Sequence, residues 1–168
     1  LTRAFDCGFQ ILERESHLST DETTMGSVIF DVVDKFKIDS DRDIITLYPT
    51  YPQRTWEQVE EVYRFYKKEN ARSLLCSKDV KTHPYMCFER TENFAGKKVI
   101  GHDLYRRQEY PECFEACHYI VITKANILGE LDNNLHCDST VFYALHDEVF
   151  DVDYMKDFDS FRKDAARG

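Results

Sequence analysis

The sequence lacks several features that would place it in a large class of proteins. No apolar run approaches the roughly 20 residues that a membrane-spanning helix needs, and the first residues lack the basic-then-apolar order of a signal peptide. Lysine and arginine number 22 against 31 aspartates and glutamates, which gives a net charge of −9. Because general nucleic-acid binding needs a basic face, these absences predict a soluble cytoplasmic protein without membrane or nucleic-acid partners.

Paired cysteine knuckles are also absent. Of six cysteines, Cys113 and Cys117 lie close to His118, but no Cys-x-x-Cys pair accompanies them. Several cysteines fall in apolar strand contexts, where a thiol packs as a small hydrophobic group. We therefore expect reduced, mostly structural cysteines, and a zinc-binding module is the least favoured interpretation of the chain.

The residues that are present suffice for one folded domain. The 168 residues are 42% hydrophobic and 14% aromatic, enough to fill a sizeable core. No internal repeat or low-complexity tract divides them. The chain begins at Leu1 rather than at methionine, so we expect a single domain, residues 1–168, that is a fragment of a longer protein.

The first half of the chain has the pattern of an α/β domain. Apolar residues at three- and four-residue steps predict a helix within residues 23–37. A short β-branched run at residues 43–48 predicts a strand. A capping box at Thr55 predicts the start of a second helix that reaches residue 70, and residues 73–76 are predicted to form another strand. This β-α-β order predicts right-handed crossovers and a parallel sheet covered by helices.

The second half has shorter elements, and we interpret it as carrying an inserted antiparallel portion. Its β-branched and aromatic runs predict short strands, and its last segment predicts a charged helix. The predicted strands are residues 85–88, 118–123, 141–145 and 148–152, the predicted turn and loop are residues 92–96 and 129–138, and the closing helix is residues 154–166.

Two carboxylates lie near the end of a predicted strand. Asp151 and Asp153 stand at positions i and i+2, and strand side chains two residues apart point to the same side. Such a pair suits Mg²⁺, which takes few protein ligands and shares its shell with substrate phosphates. The competing interpretation is a solvated acidic strand end in an acidic protein.

Two further polar groups should lie near this pair. The loop from residue 48 to 54 contains two prolines and holds Thr50, Gln53 and Arg54. Residues Arg106-Arg107-Gln108 could grip a carboxylate or phosphate, or they could be a surface ion-pair patch. Ligands of open α/β sheets bind beyond the carboxyl ends of the strands, so we expect the three groups to form an anion clamp and metal site suited to phosphoryl or nucleotidyl transfer.

The same residues resemble a known family, the acylneuraminate cytidylyltransferases, or CMP-sialic acid synthetases. The loop Leu47-Tyr48-Pro49-Thr50-Tyr51-Pro52-Gln53-Arg54-Thr55 is similar to their Leu-Gln-Pro-Thr-Ser-Pro-Leu-Arg-Thr loop. Four other segments match in the same order along nearly the whole chain. They are Leu18-Ser19-Thr20-Asp21, His83-Pro84, Arg106-Arg107-Gln108-Glu109-Tyr110-Pro111, and Asp151-Val152-Asp153 with Asp157-Phe158.

The resemblance implies a fold and a reaction. The fold would be a Rossmann-like three-layer α/β sandwich with a mostly parallel sheet and an inserted antiparallel dimerisation portion, around residues 129–145, that reaches a partner subunit. The enzyme, a homodimer, would transfer CMP from CTP to a 2-keto sugar acid such as sialic acid and release pyrophosphate. Asp151 and Asp153 would hold Mg²⁺ and Arg107 would pair with the sugar carboxylate. Nearby substrate contacts would come from Thr50, Gln53, Arg54, Arg106, Gln108 and Cys117, and Ser19 and Asp21 would lie near the cytosine.

The chain departs from the family pattern in two respects. The family's nucleotide-binding loop after its first strand is absent. The family commonly has an Asn-Gly pair at the position of Cys117-His118 and a tyrosine at the position of Val121. In the proline-containing loop, Tyr48 replaces the family's glutamine. These exchanges remove hydrogen-bonding groups, so the sugar could differ from sialic acid. The alternative to an enzyme is a non-catalytic α/β binding or dimerisation module.

Overall fold

The structure is a computed structural model, and it describes residue 4, residues 6–147 and residues 149–165. The helices with defined bounds are α1 (Met25–Lys35), α2 (Trp56–Lys68) and α3 (Met155–Ala165). The strands are β1 (Asp43–Thr46), β2 (Ser73–Asp79), β3 (Phe88–Arg90), β4 (Gly96–Lys98), β5 (Phe114–Lys124) and β6 (Val141–Ala144). No helix in the described part of the chain is long and apolar enough to cross a membrane.

The main sheet has four strands in the order β1-β5-β2-β6. Strands β1, β2 and β6 run in one direction, and β5 runs against its neighbours β1 and β2. The predicted mixed α/β class is confirmed, whereas the sheet is mixed rather than parallel. The physical reason is the connection between β2 and β5: it leaves the sheet at Asp79 and returns beside it at Phe114, and a chain that returns at the same edge pairs antiparallel.

Local signals explain where the two central helices begin and end. Thr24 caps α1 by accepting a hydrogen bond from the Ser27 backbone. At α2 the predicted capping box is confirmed, with reciprocal bonds between Thr55 and Gln58. After α2, Asn70 adopts a positive φ of 48°, and Ala71 N–H donates to the Tyr66 carbonyl. This left-handed C-terminal turn points the chain into β2.

The core lies on both faces of the sheet. Strand side chains alternate, so Leu74 and Cys76 face α2 and pack with Val62 and Tyr66 of that helix. Leu75 faces the other way and packs with Ile29 of α1 and with Leu128 and Leu135. Helix α2 therefore covers one face of the sheet and α1 covers the opposite face.

Several predictions for the second half are corrected. Residues 84–86 form a 3₁₀ turn, and the nearby strand is β3 at Phe88–Arg90. The fixed φ of Pro84 suits the first residue of a helical turn. Residues 149–152 are not in a strand, and Glu148 and Ala166, at the ends of two predicted elements, lie outside the described residues.

Antiparallel pairing also occurs outside the main sheet. A two-stranded antiparallel sheet, β3 with β4, lies within the connection of residues 80–113, which we call the excursion. Residues 129–145, which the resemblance assigns to a partner contact, return to the body: Leu135 is buried in the core and Val141–Ala144 is β6. The reason is that Leu135, inside a polar run, has a buried apolar pocket to occupy.

Candidate functional site

The loop after β1 and residues 149–153 meet at one edge of the sheet. The Tyr51 hydroxyl donates to Asp151 Oδ2 at 2.9 Å, and the Val152 N–H donates to the Thr50 carbonyl at 2.9 Å. The Gln53 side-chain amide, in its hydrogen-bonding orientation, pairs with both the N–H and the carbonyl of Phe150. Two of the three predicted groups are therefore in direct contact.

The topology explains this meeting. Strands β1 and β6 run in the same direction, so both end at the same edge of the sheet, and the 48–54 loop and the 149–153 segment follow those ends. Two consecutive turns, Tyr51 N–H to the Tyr48 carbonyl and Arg54 N–H to the Tyr51 carbonyl, compact the loop. Tyr51 is 6% exposed, and its ring meets the Tyr119 ring edge-on at 5.4 Å.

The two aspartates remain accessible. Asp151 and Asp153 are exposed and Val152 between them is half-buried, in a segment that is not a strand. No group of three or more histidine, cysteine, aspartate or glutamate side chains is placed to hold a metal within the described residues. Carboxylate oxygens are the donor chemistry of Mg²⁺, which completes its shell with water and phosphate.

Arg54 has a different role from the one the sequence indicated. Its Nη1 donates to the Tyr119 carbonyl at 2.6 Å and its Nη2 donates to the Tyr48 carbonyl at 2.9 Å. Its guanidinium lies over the Tyr119 ring, and burial lowers the pKa of Arg54. This arginine therefore joins the loop to β5 and has its terminal nitrogens directed at backbone, which leaves it poorly placed to grip an anion.

The Arg106-Arg107-Gln108 strip lies on the excursion. Arg107 begins a 3₁₀ turn, Arg107–Glu109, and all three side chains are exposed. The excursion leaves the sheet at the carboxyl end of β2, the same edge that carries Thr50 and Asp151. Among the described residues no hydrogen bond or ion pair joins the strip to Thr50, Asp151 or Asp153, so it shares their edge without touching them.

An aromatic cluster at the base of the excursion holds this strip. His83 Nδ1 accepts from the Tyr85 N–H at 3.1 Å, so its Nε2 carries the proton and donates to the Pro111 carbonyl at 2.9 Å. His102 stacks on Tyr85 at 4.3 Å, and the Tyr110 ring contacts all three other rings. His83 thus has a turn and packing role, and it joins the two ends of the excursion.

Three further residues predicted from the resemblance make none of the hydrogen bonds that form the contact. Cys117 is 4% exposed and pairs with Cys76 across β2 and β5, and burial raises the pKa of both thiols, to about 12 for Cys76. A direct substrate contact from Cys117 does not fit this burial. Ser19 and Asp21 are exposed in the turn before α1, where the Ser19 hydroxyl donates to the Glu15 carbonyl.

Sequence reasoning missed two features near the contact. The first is Tyr51, whose partner Asp151 lies 100 residues away, so no local pattern could reveal the pair. The second is a cavity of about 290 Å³ beside the 149–153 segment, between α2 and the end of β6. Tyr119 and Tyr143 form its walls, and their hydroxyls donate to Gln58 and Glu61 of α2.

The fold and the contact define a mixed α/β domain with an acidic segment docked on a proline-containing loop at the carboxyl edge of its sheet. No protein-family model matches the chain, and no curated protein matches it either. Its function must therefore be inferred from its own residues and contacts.

Proposed function

We propose that this chain belongs to a nucleotidyltransferase that activates a nonulosonic, sialic-acid-like sugar acid by transferring CMP from CTP with release of pyrophosphate. The supporting observation is the contact between the Thr50 loop and Asp151. Two segments that independently resemble motifs of the acylneuraminate cytidylyltransferases bond to one another, at the sheet edge where α/β domains bind ligands. Packing of α1 and α2 on opposite faces supports the Rossmann-like three-layer arrangement.

The proposed chemistry is an in-line displacement at the α-phosphorus of CTP. The anomeric hydroxyl of the sugar acid forms the new P–O bond, the bond to pyrophosphate breaks, and the hydroxyl proton passes to solvent. When bound, Mg²⁺ neutralises the phosphate charge. Asp151 and Asp153 would hold it. Arg107 would bind the sugar carboxylate, and the neighbouring Arg106 and Gln108, which are also exposed, would contact the substrate.

Other residues would complete the substrate sites. Thr50 and Gln53 would line the site between the metal and the sugar. The Thr50 carbonyl accepts from the Val152 N–H, and the Gln53 side-chain amide pairs with the Phe150 backbone. Ser19 and Asp21, exposed before α1, would lie toward the cytosine. A second copy of the chain would pack on the excursion, whose two-stranded sheet is too small to be stable alone.

A pyrophosphate-release assay tests the proposal. The 168-residue chain and the full-length product of its gene are each incubated with Mg²⁺, CTP and either N-acetylneuraminic acid or its deaminated analogue, and the CMP-sugar is identified by mass. We expect turnover by the full-length protein, and a loss of at least about 100-fold in Asp151→Asn and Asp153→Asn. Asp138→Asn, an exposed acid elsewhere, is the matched control and should retain activity.

The opposing result is a full-length protein that neither binds CTP nor releases pyrophosphate with any 2-keto sugar acid. That result would favour the second candidate, a non-catalytic binding or dimerisation module. Two observations favour this candidate: within the described part of the chain the Arg106-Arg107-Gln108 strip makes no bond to the acidic segment, and Cys117 is buried. A module of this kind would self-associate without consuming CTP.

A further inference from the structure

The cavity between α2 and the end of β6 has a buried apolar floor. Tyr119 and Val62 are each 1% exposed, and Tyr143 and Leu145 line the cavity from the end of β6. The cavity has a volume of about 290 Å³, whereas about 150 Å³ suffices to enclose benzene. It therefore has room for one ring with a short side chain, at the lower end of the size range of small-ligand sites.

The two tyrosines of the cavity wall have no hydroxyl proton left for a ligand. The Tyr119 hydroxyl donates to Gln58 Oε1, and the Tyr143 hydroxyl donates to Glu61 Oε1 at 2.7 Å. Burial raises the pKa of both phenols, to about 12 for Tyr143, so both stay protonated at neutral pH. Their oxygens can therefore accept a hydrogen bond from a ligand but cannot donate one.

The solvent side of the cavity is negatively charged. Glu61 and Asp147 are exposed lining residues, and no lysine or arginine is among the described residues that line it. Neither carboxylate forms an ion pair within the described part of the chain. Their charge favours a cationic ligand, because hydrogen bonds between oppositely charged groups are stronger than neutral ones. The apolar floor suits the body of an organic molecule rather than a bare metal ion, and the described residues include no group of three or more side chains placed to bind a metal.

We propose that this cavity binds a small organic cation, a protonated primary amine joined by a short chain to an apolar ring. The ring packs between Tyr119 and Tyr143 on the apolar floor, and the ammonium group lies at the solvent side, where it donates to Glu61 and Asp147. A primary ammonium has three N–H donors and no acceptor, which matches carboxylate and phenol oxygens as its partners. Binding of this cation does not depend on the proposed nucleotidyl transfer.

A titration of the wild-type chain with three ligands of nearly the same shape tests the charge of the ligand. The probes are 2-phenylethylammonium, neutral 2-phenylethanol and anionic phenylacetate, and binding is followed in ¹H–¹⁵N correlation spectra at neutral pH. With the ammonium we expect saturable shifts of the amides of residues 58–62 and 143–147 and an affinity about 10-fold higher than that of the alcohol. Phenylacetate should give no saturable shifts. No saturable binding of the ammonium, or equal affinities of the ammonium and the alcohol, would overturn the proposal.

Glu61→Gln tests the carboxylate and preserves its bond within the fold, because the remaining side-chain oxygen can still accept from Tyr143. We expect this variant to bind the ammonium about 5- to 10-fold more weakly and to bind the alcohol as the wild type does. The matched control is Glu69→Gln, which removes an exposed carboxylate at the C-terminal end of the same helix and should leave both affinities unchanged. Equal weakening by both variants would overturn the proposal, because the net charge of the chain and not the cavity would then attract the ammonium.

Filling the cavity supplies a second test. Val149→Phe places a larger side chain in the cavity lining and should abolish the saturable shifts with both the ammonium and the alcohol. Wild-type binding by Val149→Phe would show that the ligand binds elsewhere. The comparison of the three ligands needs only the wild-type chain, so it decides the question even where a variant does not fold. The pyrophosphate assay measures the proposed reaction separately.

Discussion

Asp43 shows how one carboxylate can organise three elements of this fold. It begins β1 and accepts hydrogen bonds from the hydroxyls of Tyr63 and Tyr66 and from the ammonium groups of Lys67 and Lys124, at 2.9 to 3.1 Å. Its side chain is 11% exposed. Burial by itself would raise its pKa, but the four donors outweigh burial and lower the pKa of Asp43 to about 2. The charged form thus holds α2 and β5 against the start of β1.

This shift predicts a pH-dependent contribution to stability. Because the folded pKa of Asp43 lies below the unfolded value of about 3.9, its stabilisation is fully present above that value and is lost as the pH falls toward 2. We expect Asp43→Asn to lower the free energy of unfolding at pH 7 by about 2 kcal/mol, measured by urea denaturation, and by progressively less between pH 4 and pH 2. The control is Asp41→Asn, which replaces an exposed neighbouring carboxylate and should leave the free energy of unfolding nearly unchanged. A loss of stability in Asp43→Asn that is the same at every pH would contradict the explanation.

At the scale of elements, the sequence predicted secondary structure best where a pattern within one element decides it. The apolar spacing of α1 and the capping box of α2 depend on residues within one helix, and both helices lie where expected. Strand β5 is longer than its apolar run, because residues 114–117 pair with the end of β2 although their side chains are mostly exposed. Backbone pairing of that kind leaves no hydrophobic signal.

The candidate site was predictable only in part, for the same reason. Strand direction brings the Thr50 loop and Asp151 to one edge, and the β-α-β order sufficed to infer it. No pattern within the loop distinguishes an arginine that grips an anion from Arg54, which donates to two carbonyls. The bond between Tyr51 and Asp151 spans 100 residues, and only the folded chain reveals it.

The excursion is an element whose ends are joined by one histidine. His83 accepts from Tyr85 and donates to Pro111, and each bond contributes about 1 kcal/mol. We expect His83→Ala to speed amide hydrogen exchange across residues 83–111 by about 10-fold or more, while exchange in β2 and β5 is unchanged. His17→Ala, which removes a mostly exposed imidazole, serves as the control. Unaltered exchange in the excursion would show that the ring packing around Tyr85 and Tyr110 suffices without these bonds.

At the scale of the whole molecule, large apolar side chains are exposed along one connection. The excursion carries a two-stranded sheet, and hairpins of two strands are marginally stable in water without further packing. Phe94 on its turn is 78% exposed and Tyr105 is 93% exposed. Phe88, Val99 and Ile100 nearby are also exposed. Glu89, Lys97 and Lys98 place both signs of charge on the same hairpin, so two copies related by a twofold axis can match their charges.

This arrangement predicts that the chain forms a dimer through the excursion, because burial of a contiguous apolar surface stabilises association. In light scattering coupled to size exclusion we expect a mass near twice the 19.9 kDa of one chain. Phe94→Asp should shift it to one chain mass, since it would place a charge in the buried interface. Phe30→Asp, which changes an exposed phenylalanine on α1, should remain dimeric. A dimer that survives Phe94→Asp would show that the chain self-associates through another surface, and a wild-type monomer would show that it does not self-associate. In either case the stability of the β3–β4 hairpin would have to come from the His83 and Tyr85 contacts within one chain.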